Sequence, residues 1–186
     1  EALAGQLQRT AAHPVHALAL AMSAENLAQQ LAGSGAQLLI HTSGPFQAQD
    51  YRVAHACIAC GIHYIDLAAG RDFVAGFSPA LDTRAQAANG LAITGASTVP
   101  GLSSAVINEF IAGFSGLEKL VYGIAPGNRA ERGEATVAAI LSYTGHPFAT
   151  LENGVSRNII GWQDIFQHTF PAPMGKRWLA NCEIPD

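Results

Sequence analysis

Hydrophobic positions along this chain switch repeatedly between a period near two and a period near 3.6, and that switching lays out its elements. Leu3 and Leu7 sit at helical spacing within residues 1–12, with no start signal, as though a helix were entered partway. Val15 to Met22 (VHALALAM) alternates apolar and small residues and predicts a strand. Ser23 and Glu25 then open a short helical pattern through Leu27 and Leu31, which Gly33 and Gly35 end. Gln37 to His41 reads as a strand that runs into Thr42-Ser43-Gly44-Pro45-Phe46. Asp50 is placed to cap a helix with Val53, Ala54, Cys57 and Ile58 on one face, closed by Gly61. A strand over Ile62 to Leu67 follows. Asp72 to Gly76 predicts a turn, Pro79 and Asp82 the start of another helix ending at Asn89-Gly90, and Leu91 to Thr94 a further strand.

The resulting order, β, α, β, α, β, α, β, requires crossover connections, which favour a parallel sheet with helices on its faces. Around Ala96 to Ser104 (ASTVPGLSS) the βα alternation stops, and a junction is placed there, dividing the chain into units of 1–102 and 103–186. Beyond it the pattern predicts a helix from Ser103 or Ser104 through Phe114, a strand over Leu117 to Ile124, and a helix from Glu134 to Tyr143. Short strands and loops around Asn153-Gly154, Gly161-Trp162 and Pro171 complete it.

Composition narrows the function classes. The chain has 186 residues, is 49% hydrophobic and carries a net charge of -4, enough apolar material for a sizeable core and no basic cluster for nucleic acid or an anionic membrane. No apolar run reaches the roughly 18 residues of a spanning helix, so a cytoplasmic protein is expected. Three cysteines are too few and odd in number for a disulfide framework. Cys57-x-x-Cys60 with His55 and His63 invites a zinc or redox reading. A structural zinc site needs a second ligand pair, and a reactive thiolate prefers a helix N-terminus, whereas this motif precedes Gly61 at a helix C-terminus. Buried cysteines on an apolar face are the better account, and no metal is expected. None of the histidines shows metal spacing; each reads as structural or surface. No G-x-S-x-G elbow is present. The Gly44-Pro45 loop is different: it would lie at the carboxyl end of a parallel strand, where open α/β sheets bind ligands.

Taken together, GPFQAQDYRVAHACIACGIHYIDLAAGRDFV and GASTVPGLSSAV closely resemble the saccharopine dehydrogenase-like family of nicotinamide-dependent oxidoreductases. The motifs that carry the resemblance are Gly44-Pro45-Phe46 and Tyr64-Ile65-Asp66. Gly161-Trp162 and the Lys176-Arg177 to Ile184-Pro185-Asp186 tail add to it less specifically. The resemblance implies the second half of a Rossmann-like parallel sheet followed by part of an α+β substrate and dimerisation domain. One departure stands out: no Gly-rich phosphate loop follows a strand and opens a helix, because Gly33-Ser34-Gly35 ends a helix instead. The sequence is therefore read as a partial one.

The resemblance implies NAD or NADP as cofactor, with Thr42, Ser43, Gly44, Pro45, Phe46, Asp66, Gly95 and Ala96 lining its nicotinamide side. Arg71, whose fork can clamp a carboxylate bidentately, and Ser97, which ends the following strand at the same cleft, are expected at the substrate. Each has a plainer alternative. Phe46 can plug the core, Thr42 and Ser43 can cap, and Asp66 can cap or face solvent. Arg71 can form a surface salt bridge, and Gly95, Ala96 and Ser97 can reflect tight packing. No catalytic acid or base is identified. The expected activity is hydride transfer between NAD(P) and a C–N or C–O centre of a small carboxylate-bearing metabolite, in a possible homodimer. The rival is a non-catalytic Rossmann-type module for dinucleotide sensing or protein association.

Overall fold

The structure is a computed structural model that describes residues 2–127 and 129–184. Glu1, Pro185 and Asp186 lie outside the described residues, and with them the end of the Ile184-Pro185-Asp186 tail. The chain is mixed α/β, with one three-stranded parallel sheet and two small antiparallel sheets. Its elements run α1 (Ala2–Gln8), α2 (Leu27–Gly33), β1 (Leu38–His41), α3 (Arg52–Ala59), β2 (His63–Asp66), α4 (Arg71–Ala87), β3 (Ala92–Ile93), α5 (Ser103–Phe110), α6 (Glu134–Tyr143) and strands β4 to β7. The last four are Pro147–Glu152, Val155–Ile160, Phe166–Phe170 and Gly175–Leu179.

The sheet order is β1-β2-β3, with Leu38 paired to His63, His41 to Asp66 and Tyr64 to Ala92. Alternation sets the two faces apart. Tyr64 and Asp66 point to one side and are almost wholly buried, whereas Leu38, Ile40 and Ile93 on the other side stay exposed. α3 and α4 cover the first side. From α3 come Val53, Ala54, Ala56, Cys57 and Ile58; from α4 comes the stripe Phe73, Phe77, Leu81 and Ala85. Tyr64 stacks on Phe77 with centroids 5.8 Å apart, and Phe73 bridges Phe46 at 5.3 Å and Tyr51 at 4.8 Å. Cys57 is sealed in this core, and burial, with Cys60 nearby, pushes its thiol up to about 11. Cys60 donates its S–H to Ala28 O of α2.

Three sequence expectations are corrected. Val15–Met22 does not form a strand: it joins no ladder among the described residues, and alternation alone cannot hold an extended segment without a ladder partner. Leu117–Ile124 is likewise irregular, with Leu117, Leu120, Val121 and Ile124 exposed. The predicted turn at 72–76 is instead the first turns of α4, which runs straight through Pro79. The spacing of Phe73, Phe77, Leu81 and Ala85 at every fourth residue explains the outcome. Their shared burial outweighs the hydrogen bond that Pro79, exposed on the opposite side, cannot donate. The Asn153-Gly154 turn is as expected, with both residues at positive φ (54° and 75°) joining β4 to β5. Among the described residues no helix is long and apolar enough to cross a membrane.

The account of α4 predicts opposite effects at two neighbouring positions. Pro79→Ala restores a backbone donor and should stabilise the fold by about 1–3 kcal/mol. Leu81→Ala should destabilise it by about 2–5 kcal/mol. Urea unfolding followed by circular dichroism measures both; a destabilised Pro79→Ala would contradict the reading of α4 as one continuous helix.

Candidate functional site

The carboxyl ends of β1, β2 and β3 come out on one edge, and the segments that leave them are 42–51, 67–70 and 94–102. Each strand sends one polar side chain toward this edge, His41 from β1, Asp66 from β2 and Thr94 just past β3. His41 and Asp66 are directly opposed in the ladder, and Tyr64 is two residues before Asp66, hence on the same face.

These residues form a continuous buried chain of hydrogen bonds. The Tyr64 hydroxyl donates to Asp66 Oδ2 at 3.0 Å and lies 2.9 Å from His41 Nδ1. Asp66 Oδ1 receives three donors, Ala68 N at 2.9 Å, Gly95 N at 2.9 Å and the Thr94 hydroxyl at 2.8 Å. A phenol has one hydrogen, and here it goes to the carboxylate, so Nδ1–H of His41 must donate to the phenol oxygen. That fixes a neutral imidazole as the Nδ1–H tautomer and leaves a lone pair on Nε2. Burial lowers the His41 pKa below 6.5, opposed in part by the charge of Asp66, which keeps the ring neutral at pH 7. The Tyr64 phenol is pushed far above its ordinary value by burial first, then by the charge and the hydrogen bond of Asp66.

Around this chain the loops pack closely. Gly95 has φ +71°, and an added Cβ would lie 2.9 Å from Pro100 Cγ; Gly101 N in turn donates to Gly95 O at 3.1 Å. Ala96 N donates to Asp66 O at 2.9 Å, and Ser97 N to Gly95 O at 2.7 Å. On the first loop, Thr42 and Ser43 are exposed, Gly44 and Pro45 half-buried, and Phe46 buried against His41 with centroids 5.1 Å apart. Gln49 ties the loop with amide bonds to Ser43 O at 2.6 Å and Pro45 O at 3.0 Å. The second half of the chain also reaches this edge. Ala135 of α6 would sit 3.6 Å from a Cβ on Gly44, and Arg71 Nη2 donates to Ile184 O at 2.9 Å. Glu183 lies beside them, its carboxyl raised by burial and by Asp72 against the opposing pull of Arg71.

All ten expected site residues therefore come from segments that meet at one edge, but several have other work there. Asp66 does not face a ligand: it is wholly buried and both its oxygens are filled by internal donors, so it holds the edge together. Phe46 belongs to the core, its plainer alternative. Arg71 is engaged by the carbonyl of Ile184, so a substrate carboxylate would compete with that contact. Thr42, Ser43, Gly44, Pro45, Ala96 and Ser97 offer exposed or half-buried surface, while Gly95 is buried. Sequence reasoning missed His41, Tyr64 and Glu183. The Tyr64-x-Asp66 spacing and the strand-end position of His41 were the available signal for the first two; nothing in the sequence singled out Glu183. Two open grooves, one lined by His16, Leu18 and Gln30 and another by Leu3, Leu7 and Val15, involve none of these residues. Among the described residues no group of three His, Cys, Asp or Glu could hold a metal.

The hydrogen-bonded chain makes stability depend on pH in a definite direction. Because the folded His41 pKa lies below 6.5, the unfolded chain binds the extra proton first as pH falls. The contribution is present in full above pH 6.5 and is lost as pH falls below it toward the folded value. Urea titrations at about pH 8 and about pH 5.5 should therefore show the protein losing more stability on acidification than His41→Gln. An equal loss in both would refute the neutral buried imidazole. Tyr64→Phe, which strips a partner from His41 and Asp66 together, should cost about 1–3 kcal/mol by the same assay.

No model of a protein family matches this chain, and neither does any curated protein.

Proposed function

We propose that the carboxyl edge of β1-β2-β3 is the nicotinamide side of a dinucleotide site. On this reading residues 1–102 are the second half of a Rossmann-like domain, and residues 103–186 are part of an α+β substrate and dimerisation domain. The protein is then an oxidoreductase of the saccharopine dehydrogenase-like type. One observation carries the reading: the Gly44-Pro45-Phe46 loop leaves a parallel strand at the sheet's carboxyl edge, beside the loops after β2 and β3, where such sheets bind nucleotides.

The residues present suit the nicotinamide half of such a cofactor. Thr42 and Ser43 are exposed and carry hydroxyls, Ala96 is exposed beside them, and Phe46 anchors the loop from beneath. Bound there, NAD or NADP would supply hydride acceptance and donation, while the chain positions the ring. A phosphate grip is not found in Gly33-Ser34-Gly35, which closes α2, with the Ser34 hydroxyl donating to Leu31 O at 2.6 Å. The substrate is proposed to be a small molecule whose carboxylate competes for Arg71, with Ser97 at its side, and the reacting bond C–N or C–O.

A second reading is favoured by the internal use of Asp66 and Arg71, whose polar groups are engaged within the chain. It is a non-catalytic module that senses a dinucleotide or serves association, for which the exposed Trp178 and Phe166 of the β6-β7 hairpin offer surface, including for a homodimer.

Titration of the intact gene product with NADPH and NADH, read by energy transfer from Trp162 and Trp178 to the nicotinamide, tests the site. Binding tighter than about 1 mM is expected, and its absence for both cofactors overturns the dinucleotide assignment. Oxidation of bound NADPH in a screen of imines, keto acids and aldehydes selects the enzyme; binding without any turnover selects the sensor.

A further inference from the structure

His41 Nε2 has less than 1 Å² of accessible surface and no hydrogen-bond partner, in a residue that is only 5% exposed. An orphaned buried acceptor has lost its water and gained nothing in return, so its persistence calls for an explanation. The orphan here is created by the chain's own order. Asp66, filled by three donors on Oδ1, takes the Tyr64 proton on Oδ2; Tyr64 then takes the Nδ1 proton; and the lone pair is left on Nε2. The imidazole cannot relieve the shortage by changing tautomer, because the Nδ1 lone pair and the phenol oxygen, two acceptors, would then face each other, or the Tyr64 hydroxyl would turn to Nδ1 and Asp66 would lose a donor.

A second acceptor on the same strand-loop unit is in the same condition. Gln47 Oε1 is buried without a partner, on a loop whose backbone packs against Gly70, where an added Cβ would lie 3.3 Å from Gln47 N. Between these two residues stands Phe46, whose ring packs edge-on against His41. The strand-loop unit from His41 to Gln47 thus carries two buried acceptors short of donors.

We infer that His41 Nε2 is a ligand-binding acceptor, kept as a lone pair by Asp66 and Tyr64, that receives an N–H or O–H group of the nicotinamide nucleoside when the Phe46 ring yields. This rests on the proposed dinucleotide site and adds a residue to it. The donor is either the carboxamide N–H of the nicotinamide or a hydroxyl of its ribose, and both are the chemistry an imidazole lone pair takes. Tyr64 and Asp66 touch no ligand on this account; they are positioning residues that act through the tautomer of His41.

The experiment needs no variant to begin. In the intact gene product carrying ¹⁵N-labelled histidine, long-range ¹⁵N–¹H correlation should show His41 with a protonated Nδ1 and a pyridine-like Nε2. Saturating NADPH should then move the Nε2 resonance toward that of a hydrogen-bonded nitrogen. The 3-acetylpyridine analogue of the cofactor, which keeps the ribose and lacks the amide N–H, assigns the donor: a retained shift means ribose and a lost one carboxamide. His41→Phe should weaken NADPH about tenfold, the worth of one hydrogen bond. Asp66→Asn, which presents an N–H₂ to the phenol, should turn the Tyr64 hydroxyl toward His41 and convert it to the Nε2–H tautomer. A free protein already in the Nε2–H form overturns the inference, whatever the cofactor does. NADPH that binds while Nε2 stays unmoved also overturns it, as an internal water would produce, yet leaves the dinucleotide site standing. Failure of NADPH to bind removes the dinucleotide site and this donor with it.

Discussion

A carboxylate sealed from water has to find its donors within the protein, and Asp66 collects four of them from three different segments. Tyr64 comes from its own strand, Ala68 from the loop after it, and Thr94 and Gly95 from the end of β3. Charge-assisted bonds of this kind are about twice as strong as neutral ones, so the carboxylate acts as a rivet through the edge of the sheet. β3 shows why that is needed. It has only two residues, Ala92 and Ile93, paired to β2, too few ladder bonds to fix where the chain goes next. The path into residues 94–102 is set largely by Asp66, through its side chain and through its own carbonyl to Ala96 N.

That path in turn explains the glycines of GASTVPG. Gly95 must present its N–H to Asp66 while turning the chain with φ +71°, and it must leave room for Pro100, which a Cβ would meet at 2.9 Å. Gly101 closes the same turn from the other side; an added Cβ would lie 2.9 Å from Gly95 O. Small residues here were open to two readings, a ligand cleft or tight packing. For Gly95 the packing requirement is sufficient by itself. Ala96 and Ser97, which are less enclosed, remain free to face a ligand.

The parts of the fold legible in the sequence are those in which a periodic pattern coincides with a partner. α3, β1, β2 and the stripe of α4 from Leu81 onward are apolar where they touch one another, so period and contact agree. Val15 to Met22 and Leu117 to Ile124 have the pattern but join no sheet among the described residues; alternation describes what a segment can bury, not whether a ladder exists for it. The start of α4 was obscured by Gly76 and Pro79, because punctuation residues speak for local preference and the buried Phe73 and Phe77 overrule it. At the site, the sequence located the edge but not the allotment of its polar groups. Whether a strand-end aspartate faces a ligand or its own backbone is decided by donors from other strands, and their approach is a tertiary fact.

The Gly44-Pro45-Phe46 loop joins these two levels. Burying Phe46 between His41 and Phe73 fixes one end of the loop to the core, and the Gln49 amide holds the carbonyls of Ser43 and Pro45 from the side. Thr42 and Ser43 are thereby held outward, exposed, on a backbone that has little freedom left. A ligand group that rests on Thr42 and Ser43 finds their ordering cost already met by the packing beneath, which is the advantage of placing a binding loop on a rigid sheet edge; reaching His41 Nε2 requires in addition that the Phe46 ring move. The same anchoring couples loop and network. Any movement of Phe46 changes the packing around His41, and His41 is bonded through Tyr64 to the carboxylate that holds β2, β3 and the turn at Gly95. The edge therefore behaves as one mechanical unit, in which contact at the first loop is felt at the third.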